Sequence, residues 1–184
     1  MKTVNIYRWR DDCSSNGNFG DEITLLLLER LFSLRPVPTD LHKAELIGAG
    51  SILEHYWTFL NIQRKRTKDR VLRNLKIWLE RSPTLHVWGT GTLFDDRPII
   101  WPQKLKVHAV RGSLTASRIL GNSTNIPLGD PGILANLLID APLPKRWEVA
   151  IVPNHIDTNY LSKLDLPKNW KLIDPEQPVL DVVK

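Results

Sequence analysis

Charged and hydroxyl-bearing side chains stand beside glycine-containing turns at several points of this chain. Asp21 follows Gly20, Ser51 closes a turn that begins at Gly48, and Arg111 precedes another glycine. Glycine lets the backbone approach a phosphate closely, and the N-terminus of a helix carries about half a positive charge. An arginine binds a carboxylate or phosphate through two parallel hydrogen bonds. These residue types therefore indicate a site for a polar, phosphorylated ligand.

Three turns are candidate phosphate cradles, and they lie at 16–21, 48–51 and 89–92. Each of them alone is weak, because a G-x-G without the full dinucleotide fingerprint also occurs in ordinary tight connections. Three such turns in one domain favour a ligand site. The candidate substrate-binding residues are Asn18, Gly20, Gly48, Gly50, Ser51, Gly89, Gly91, Arg111 and Ser113.

Asp21 and His155 are the candidate catalytic residues. Asp21 follows a glycine where a strand gives way to a helix, so it is a candidate base, although an acid there also stabilises the helix dipole. His155 is the only histidine predicted at the carboxyl end of a strand, where a general acid or a phosphate ligand is useful. Arg111 is either an anion clamp or one half of a salt bridge across the sheet rim. Asp130, before Pro131, is predicted to cap a helix.

Several kinds of chemistry are absent from the sequence. The single cysteine, Cys13, excludes an internal disulfide framework and a cysteine-rich zinc site. The remaining histidines show no metal-ligand spacing and are interpreted as structural: His42, His55, His86 and His108. No P-loop, Ser-His-Asp arrangement or zinc motif is present. The sequence therefore predicts neither a metal nor a cofactor.

Short apolar, β-prone runs recur along the chain, and most precede a turn and a segment with helical periodicity. Strands are predicted at 4–9, 44–47, 85–88, 107–110 and 149–152, and helices at 23–34, 114–120 and 131–138. This βα alternation is typical of an α/β protein with a Rossmann-like open parallel sheet and flanking helices. In such sheets, ligands bind outside the carboxyl ends of the strands, which is where the candidate residues fall.

The chain of 184 residues has room for one domain and a fraction of another. The proline-rich segment 141–146 is the predicted linker between a Rossmann-like domain at 1–140 and a second unit at 147–184. Thirty-eight residues rarely build an independent core, so the second unit is expected to be the beginning of a truncated C-terminal domain.

The positive charge is concentrated in one segment. The net charge is +5, but the window from Gln63 to Arg81 alone carries +6. Residues 64–81 are predicted to form a basic amphipathic helix, either a solvated outer helix or a peripheral contact with an anionic membrane. No nucleic-acid motif accompanies the segment, so nucleic acid is not a predicted partner. Neither a membrane span nor a signal peptide is recognisable, and the expected location is cytoplasmic.

The residues at these turns resemble the polysaccharide pyruvyl transferase family, in particular the branch that forms ketals on exopolysaccharides of the succinoglycan type. The resemblance covers residues 1 to about 160, and its most specific parts are Arg111-Gly112-Ser113 and Gly129-Asp130-Pro131. The other matching segments are Asn18-Phe19-Gly20-Asp21-Glu22, Gly48-Ala49-Gly50-Ser51-Ile52-Leu53, Trp88-Gly89-Thr90-Gly91 and Ile151-Val152-Pro153-Asn154-His155-Ile156-Asp157.

The resemblance implies a fold of two Rossmann-like domains similar to GT-B glycosyltransferases. It implies transfer of a pyruvyl group from phosphoenolpyruvate to two hydroxyls of a sugar, with the acceptor part of an exopolysaccharide or a lipid-linked oligosaccharide. The family carries a serine-leucine-histidine-type motif in its second domain, beyond the position of Lys184. The chain thus corresponds to the N-terminal domain and the start of the C-terminal one.

Two other functions fit the same residues. A GT-B-like glycosyltransferase that uses a nucleotide sugar needs the same glycine turns for a pyrophosphate. The other alternative is a sugar-binding fragment that is inactive or depends on a partner chain for chemistry, which the expected truncation favours.

Overall fold

The fold is built on short strands of two to six residues. The structure is a computed structural model that describes residues 1–9, 17–55, 83–94, 99, 103–120, 125–154, 157, 161 and 163–184. Five strands form the main sheet: β1 (Lys2–Tyr7), β2 (Leu34–Pro38), β3 (Leu46–Ile47), β4 (Leu85–Trp88) and β5 (Leu105–Ala109). All of their pairings are parallel, in the order β2-β1-β3-β4-β5. The predicted α/β class with an open parallel sheet is confirmed.

The strand order places a topological switch point between β1 and β3. The chain runs from β1 to β2 on one side of β1, and β3 then pairs with the other side, with Ile6 opposite Leu46. Connections that leave two neighbouring strands in opposite directions open a crevice at the carboxyl ends of those strands. The crevice lies after Tyr7 and Ile47.

Helix α1 (Phe19–Phe32) connects β1 to β2 and shields one face of the sheet. Its first turn is capped by Asn18, whose Oδ1 accepts a hydrogen bond from the N–H of Gly20 at 2.9 Å. Such a cap satisfies one of the amide groups that a helix N-terminus leaves unpaired. The helix ends at Ser33, which adopts a left-handed conformation with φ of 51°.

The core has two parts, one on each face of the sheet. Leu85 and Val87 point to the face that also buries Val110 and Ala116, a residue of helix α2 (Ser113–Leu120). Trp88 points to the opposite face, where Ile23 and Leu27 of α1 pack. Side chains alternate along a strand, so β4 supplies residues to both cores.

Two helices of the remaining chain pack on the α1 side of the sheet. A 3₁₀ helix spans Pro131–Leu138 and packs against α1. A separate parallel pair follows, formed by β6 (Val149–Ile151) and β7 (Trp170–Leu172). The last helix, α3 (Val179–Val183), returns to α1 and buries Val179 there. The division at 141–146 stays a prediction. Within the described residues no helix is long and apolar enough to cross a membrane.

Candidate functional site

The glycine turns at 48–51 and 89–92, Arg111 and Asp21 come together at the carboxyl edge of the sheet. The turn at 48–51 follows β3 directly, the turn at 89–92 follows β4, and Arg111 lies two residues beyond β5. Asp21 lies in the first turn of α1, which begins beyond the carboxyl end of β1. Four elements thus bring these residues to one edge, as the βα pattern predicts.

Hydrogen bonds join the glycine turns into one continuous surface. The carbonyl of Gly50 accepts hydrogen bonds from the N–H of Gly91 at 3.0 Å and from the hydroxyl of Thr90 at 2.8 Å. The carbonyl of Thr90 in turn accepts from the N–H of Arg111 at 3.0 Å. The turns after β3, β4 and β5 therefore hold each other in position.

Hydrogen bonds of the turns also reduce the number of backbone amides that are free to bind a phosphate. The N–H of Gly91 donates to Gly50, that of Gly89 donates to Ala109, and that of Ala49 donates to the Thr24 hydroxyl. These amides are engaged within the protein and cannot also bind a ligand. Over the described ranges, the N–H groups of Gly50 and Ser51 donate to no other group. The N–H groups of Gly50 and Ser51 are therefore available to a ligand.

Arg111 connects three turns through its side chain. Its Nη1 donates to Ser51 Oγ at 2.7 Å, and its Nε donates to Asp130 Oδ2 at 3.0 Å. Its aliphatic part lies against Gly91, where a Cβ atom would sit 3.2 Å from Arg111 Cβ. Nη2 has no hydrogen-bond partner among the residues described, and the side chain is 40% exposed. The guanidinium is thus oriented by protein contacts and keeps an accessible edge for an anion.

Asp130 forms the predicted helix cap and also pairs with Arg111. Its Oδ1 accepts from the N–H of Gly132 at 2.8 Å, so the predicted cap of the 131–138 helix is confirmed. Its Oδ2 accepts from Arg111, so the salt bridge across the sheet rim is also present. Asp130 therefore fixes the direction of the Arg111 fork and offsets part of its charge.

Asp21 lies against the cradle from the α1 side. A Cβ atom at Gly50 would come within 2.9 Å of Asp21 Oδ1, and Gly50 has a φ of +106°. Glycine is required there because the conformation and the adjacent carboxylate both exclude a side chain. The site therefore has an acidic side at Asp21 and a basic side at Arg111, with the Gly50–Ser51 turn between them.

Two residues of this edge were not selected from the sequence. The phenol oxygen of Tyr7, the last residue of β1, is 3.3 Å from Nδ1 of His55. Burial, together with the negative charge of Asp21, raises the pKa of Tyr7 to about 12. The rings of His55 and Trp9 lie 4.8 Å apart at 62°. The position of His55, four residues after Ser51, is the signal in the sequence that would have found it.

The other predicted site residues have different positions in the fold or lie outside the described residues. Asn18 and Gly20 form the cap of α1, and Ser113 begins α2 with an exposed side chain. His155 and the basic segment 64–81 lie outside the described residues. No group of three or more histidine, cysteine, aspartate or glutamate side chains suited to a metal occurs in the part of the chain that is described.

In comparisons with known proteins, no family model, curated protein or solved structure matches the chain. The family resemblance of the glycine turns therefore stays a prediction, and the function has to be argued from the site itself.

Proposed function

We propose that this chain is a polysaccharide pyruvyl transferase, or the donor-binding half of one, that takes its pyruvyl group from phosphoenolpyruvate. The observation that supports the proposal most directly is Arg111, oriented by Ser51 and Asp130, with an open edge beside the Gly50–Ser51 amides. Phosphoenolpyruvate carries a phosphate and a carboxylate, and both are anions that a guanidinium binds well.

The two sides of the site suit the two substrates. An anion is attracted to Arg111 and repelled by Asp21, so the donor belongs on the Ser51–Arg111 side. A sugar hydroxyl is uncharged and gains from a nearby carboxylate that accepts its proton, so the acceptor belongs on the Asp21 side. The distribution of charge across the Gly50–Ser51 turn thus favours a reaction between an anionic donor and a neutral hydroxyl.

The proposal includes the setting of the reaction. The parallel sheet is the N-terminal half of a GT-B-like fold, and the C-terminal half completes the donor site. The acceptor is a sugar of an exopolysaccharide or of a lipid-linked oligosaccharide. In the cytoplasm, the basic segment 64–81 attracts the anionic inner face of the membrane, where roughly 1 kcal/mol per basic residue is available.

A glycosyltransferase that uses a nucleotide sugar is the second candidate. The switch point between β1 and β3 favours it, because this position binds nucleotide phosphates in many doubly wound sheets. Against it, four amides of the turns at 48–51 and 89–92 are engaged within the protein, namely Ala49, Gly89, Gly91 and Thr92, which leaves fewer of them for a pyrophosphate.

The rise in unfolding temperature that each ligand causes in the purified chain distinguishes the two candidate functions. A ligand that binds only the folded state raises its unfolding temperature by mass action. Phosphoenolpyruvate, inorganic phosphate, pyruvate, UDP and GDP are compared at equal concentration and ionic strength. We expect the largest shift with phosphoenolpyruvate, exceeding those of phosphate and pyruvate. A larger shift with UDP or GDP supports the glycosyltransferase, and no shift with any of the five contradicts both enzymes.

A further inference from the structure

The hydroxyl of Ser51 accepts a hydrogen bond from Arg111 and keeps its own hydrogen for another partner. Its Oγ accepts from Nη1 of Arg111 at 2.7 Å. A serine hydroxyl has two acceptor lone pairs and one donor hydrogen, and the bond from the guanidinium uses only a lone pair. Among the residues that the structure describes, no group accepts a hydrogen bond from this hydroxyl. Ser51 is partly exposed, so its hydrogen is available to a ligand beside Arg111.

The backbone of the same turn supplies two more donors. Within the described ranges, the N–H groups of Gly50 and Ser51 donate to no other group. Gly50 has a φ of +106° and no side chain that would keep a ligand away from the backbone. Successive free N–H groups in such a turn attract an anion. The hydroxyl and the two amides are therefore a set of uncharged donors next to a guanidinium.

The guanidinium of Arg111 has already used one of its edges within the protein. A carboxylate is bound best by two parallel N–H groups of an arginine, which has five in all. Nε donates to Asp130 at 3.0 Å and Nη1 donates to Ser51, whereas Nη2 has no hydrogen-bond partner among the described residues. The edge that includes Nε is thus closed to a ligand carboxylate, and Nη2 has to act together with the donors of the turn.

The charges around Ser51 make the uncharged donors important. Asp130 offsets part of the charge of Arg111, and Asp21 lies against Gly50 on the other side of the turn. Coulomb attraction alone therefore gives an anion little gain at this position. A phosphate group has three acceptor oxygens and a charge of about −1.5 to −2 at pH 7, whereas a carboxylate has two oxygens and a single charge. Phosphate can accept from the hydroxyl, the amides and Nη2 together.

We propose that Ser51, with the Gly50 amide and Arg111, holds the phosphate of phosphoenolpyruvate and not its carboxylate; this assignment rests on the proposed function. The hydroxyl of Ser51 donates to a phosphate oxygen, while its Oγ keeps Arg111 in place. Ser51 is a specificity-determining residue, because its hydroxyl and amide add to Arg111 the donors that a third acceptor oxygen needs. Inorganic phosphate, the product that retains this group, competes with the donor for the same subsite.

Calorimetry with inorganic phosphate, phosphoenolpyruvate and pyruvate tests the assignment in the wild type, Ser51→Ala and Ser117→Ala. Ser117 is the matched control, an exposed serine of α2 whose hydroxyl donates to the carbonyl of Leu114 at 2.9 Å. Ser51→Ala should weaken the binding of phosphate and of phosphoenolpyruvate by about tenfold or more, because a hydrogen bond to a charged group is lost. Ser117→Ala should bind both within about twofold of the wild type. Phosphoenolpyruvate should displace inorganic phosphate, and pyruvate should not.

Amide NMR of the whole wild-type chain gives a readout that does not depend on the folding of a variant. Inorganic phosphate is added at constant ionic strength, and the amide signals of Gly50 and Ser51 are followed. Both signals should move with the occupancy measured by calorimetry, because both N–H groups form new hydrogen bonds. Binding of phosphate that leaves these two signals in place overturns the subsite.

The outcomes separate the two proposals. If inorganic phosphate binds at the Gly50 and Ser51 amides while phosphoenolpyruvate does not bind, the phosphate subsite is supported and the proposed function fails. If phosphoenolpyruvate binds equally well to Ser51→Ala, or if pyruvate displaces inorganic phosphate, the proposed function is kept and the assignment of the phosphate to Ser51 is overturned. If neither phosphate nor phosphoenolpyruvate binds, both proposals fail.

Discussion

At the scale of single residues, the site is defined by opposite charges on the two sides of a glycine turn. Asp21 lies against Gly50, whereas Arg111 contacts Ser51, the next residue. An exposed ion pair contributes little to stability, but a fixed charge at the rim of a crevice has a large effect on which ligands bind. Charge changes at these two residues should therefore alter ligand affinity in opposite directions.

Replacing Asp21 with asparagine tests the acidic side. The change removes a negative charge that repels the anionic donor, so affinity for phosphoenolpyruvate should rise by about two- to tenfold. Turnover with a glycan acceptor should fall by about 10²–10⁴, because the group that accepts the hydroxyl proton is lost. Affinity is measured by calorimetry and turnover by release of phosphate. A variant with unchanged turnover and an unchanged fold excludes Asp21 as the base.

The raised pKa of Tyr7 predicts that the stability of the folded protein falls at high pH. Its pKa is about 12 in the folded protein and close to 10 in the unfolded chain, so its contribution is fully present below pH 10. The contribution is lost as the pH rises from 10 to 12, because the unfolded state releases the proton first. The amount is about 2–3 kcal/mol for a shift of this size.

The measurement is urea unfolding of the wild type and of Tyr7→Phe at pH 8 and pH 11. Other groups that titrate at high pH affect both proteins equally. The wild type should lose stability relative to the variant over this interval. A constant difference between the two proteins is incompatible with a phenol that is buried beside a carboxylate.

At the scale of elements, the turn after β4 depends on a glycine that packs against a neighbouring element. Gly89 has a φ of +80°, and a Cβ there would lie 2.3 Å from Pro131 Cδ and 2.9 Å from the carbonyl oxygen of Gly129. Gly89→Ala should therefore lower the free energy of unfolding by about 2–4 kcal/mol. Gly112→Ala is the matched control, since a Cβ there would meet no atom within 4 Å among the described residues, its two chain neighbours aside.

Urea unfolding measures both variants. The control should stay within about 1 kcal/mol of the wild type. Equal losses in the two variants contradict the close packing of the β4 turn against the start of the 3₁₀ helix.

Sequence patterns predict some elements well and miss others for physical reasons. The predicted strand at 85–88 matches β4 in full, because a short β-prone run there ends at a glycine turn. Strand β2 is not predicted, because Pro36 and Pro38 lack an N–H donor and count against a strand. Its position explains why the prolines are tolerated, since among the described strands β2 pairs only with β1 and lies at the edge of the sheet.

Some contacts within the site could also be predicted from the sequence, and others could not. Convergence of the glycine turns follows from parallel strands, so Gly50, Gly91 and Arg111 could be placed at one edge from sequence alone. The contact between Tyr7 and His55 joins residues 48 positions apart and depends on the register of β1 and β3. The local sequence does not specify that register. It also does not show which turn amides form hydrogen bonds within the protein, because those bonds join residues far apart in the chain.

At the scale of the whole molecule, the last helix is part of the N-terminal core. Val179 of α3 is 6% exposed and packs with Ile23 and Leu27 of α1. The N–H of Phe19, the first residue of α1, also donates to the carbonyl of Pro175 at 2.8 Å. The segment after β7 therefore stabilises the helix that carries Asp21.

Val179→Ala tests this connection. Removal of two buried methyl groups should cost about 1–3 kcal/mol in the unfolding of the main sheet. Val152→Ala is the matched control, because Val152 is 50% exposed and its truncation should cost less than about 0.5 kcal/mol. Both are followed by urea unfolding. If Val179→Ala leaves the main transition unchanged, α3 does not contribute to the stability of this core.

The central claim is that Arg111 binds the phosphate or carboxylate of phosphoenolpyruvate, and calorimetric titration of three proteins tests it most directly. The proteins are the wild type, Arg111→Gln and Arg35→Gln, the last of which removes the same charge from an exposed position on β2. Loss of a charged hydrogen-bonding group should weaken binding by about 10–100-fold in Arg111→Gln. Arg35→Gln should bind within about twofold of the wild type. Equal affinity in all three proteins, or no binding to the wild type, contradicts the claim.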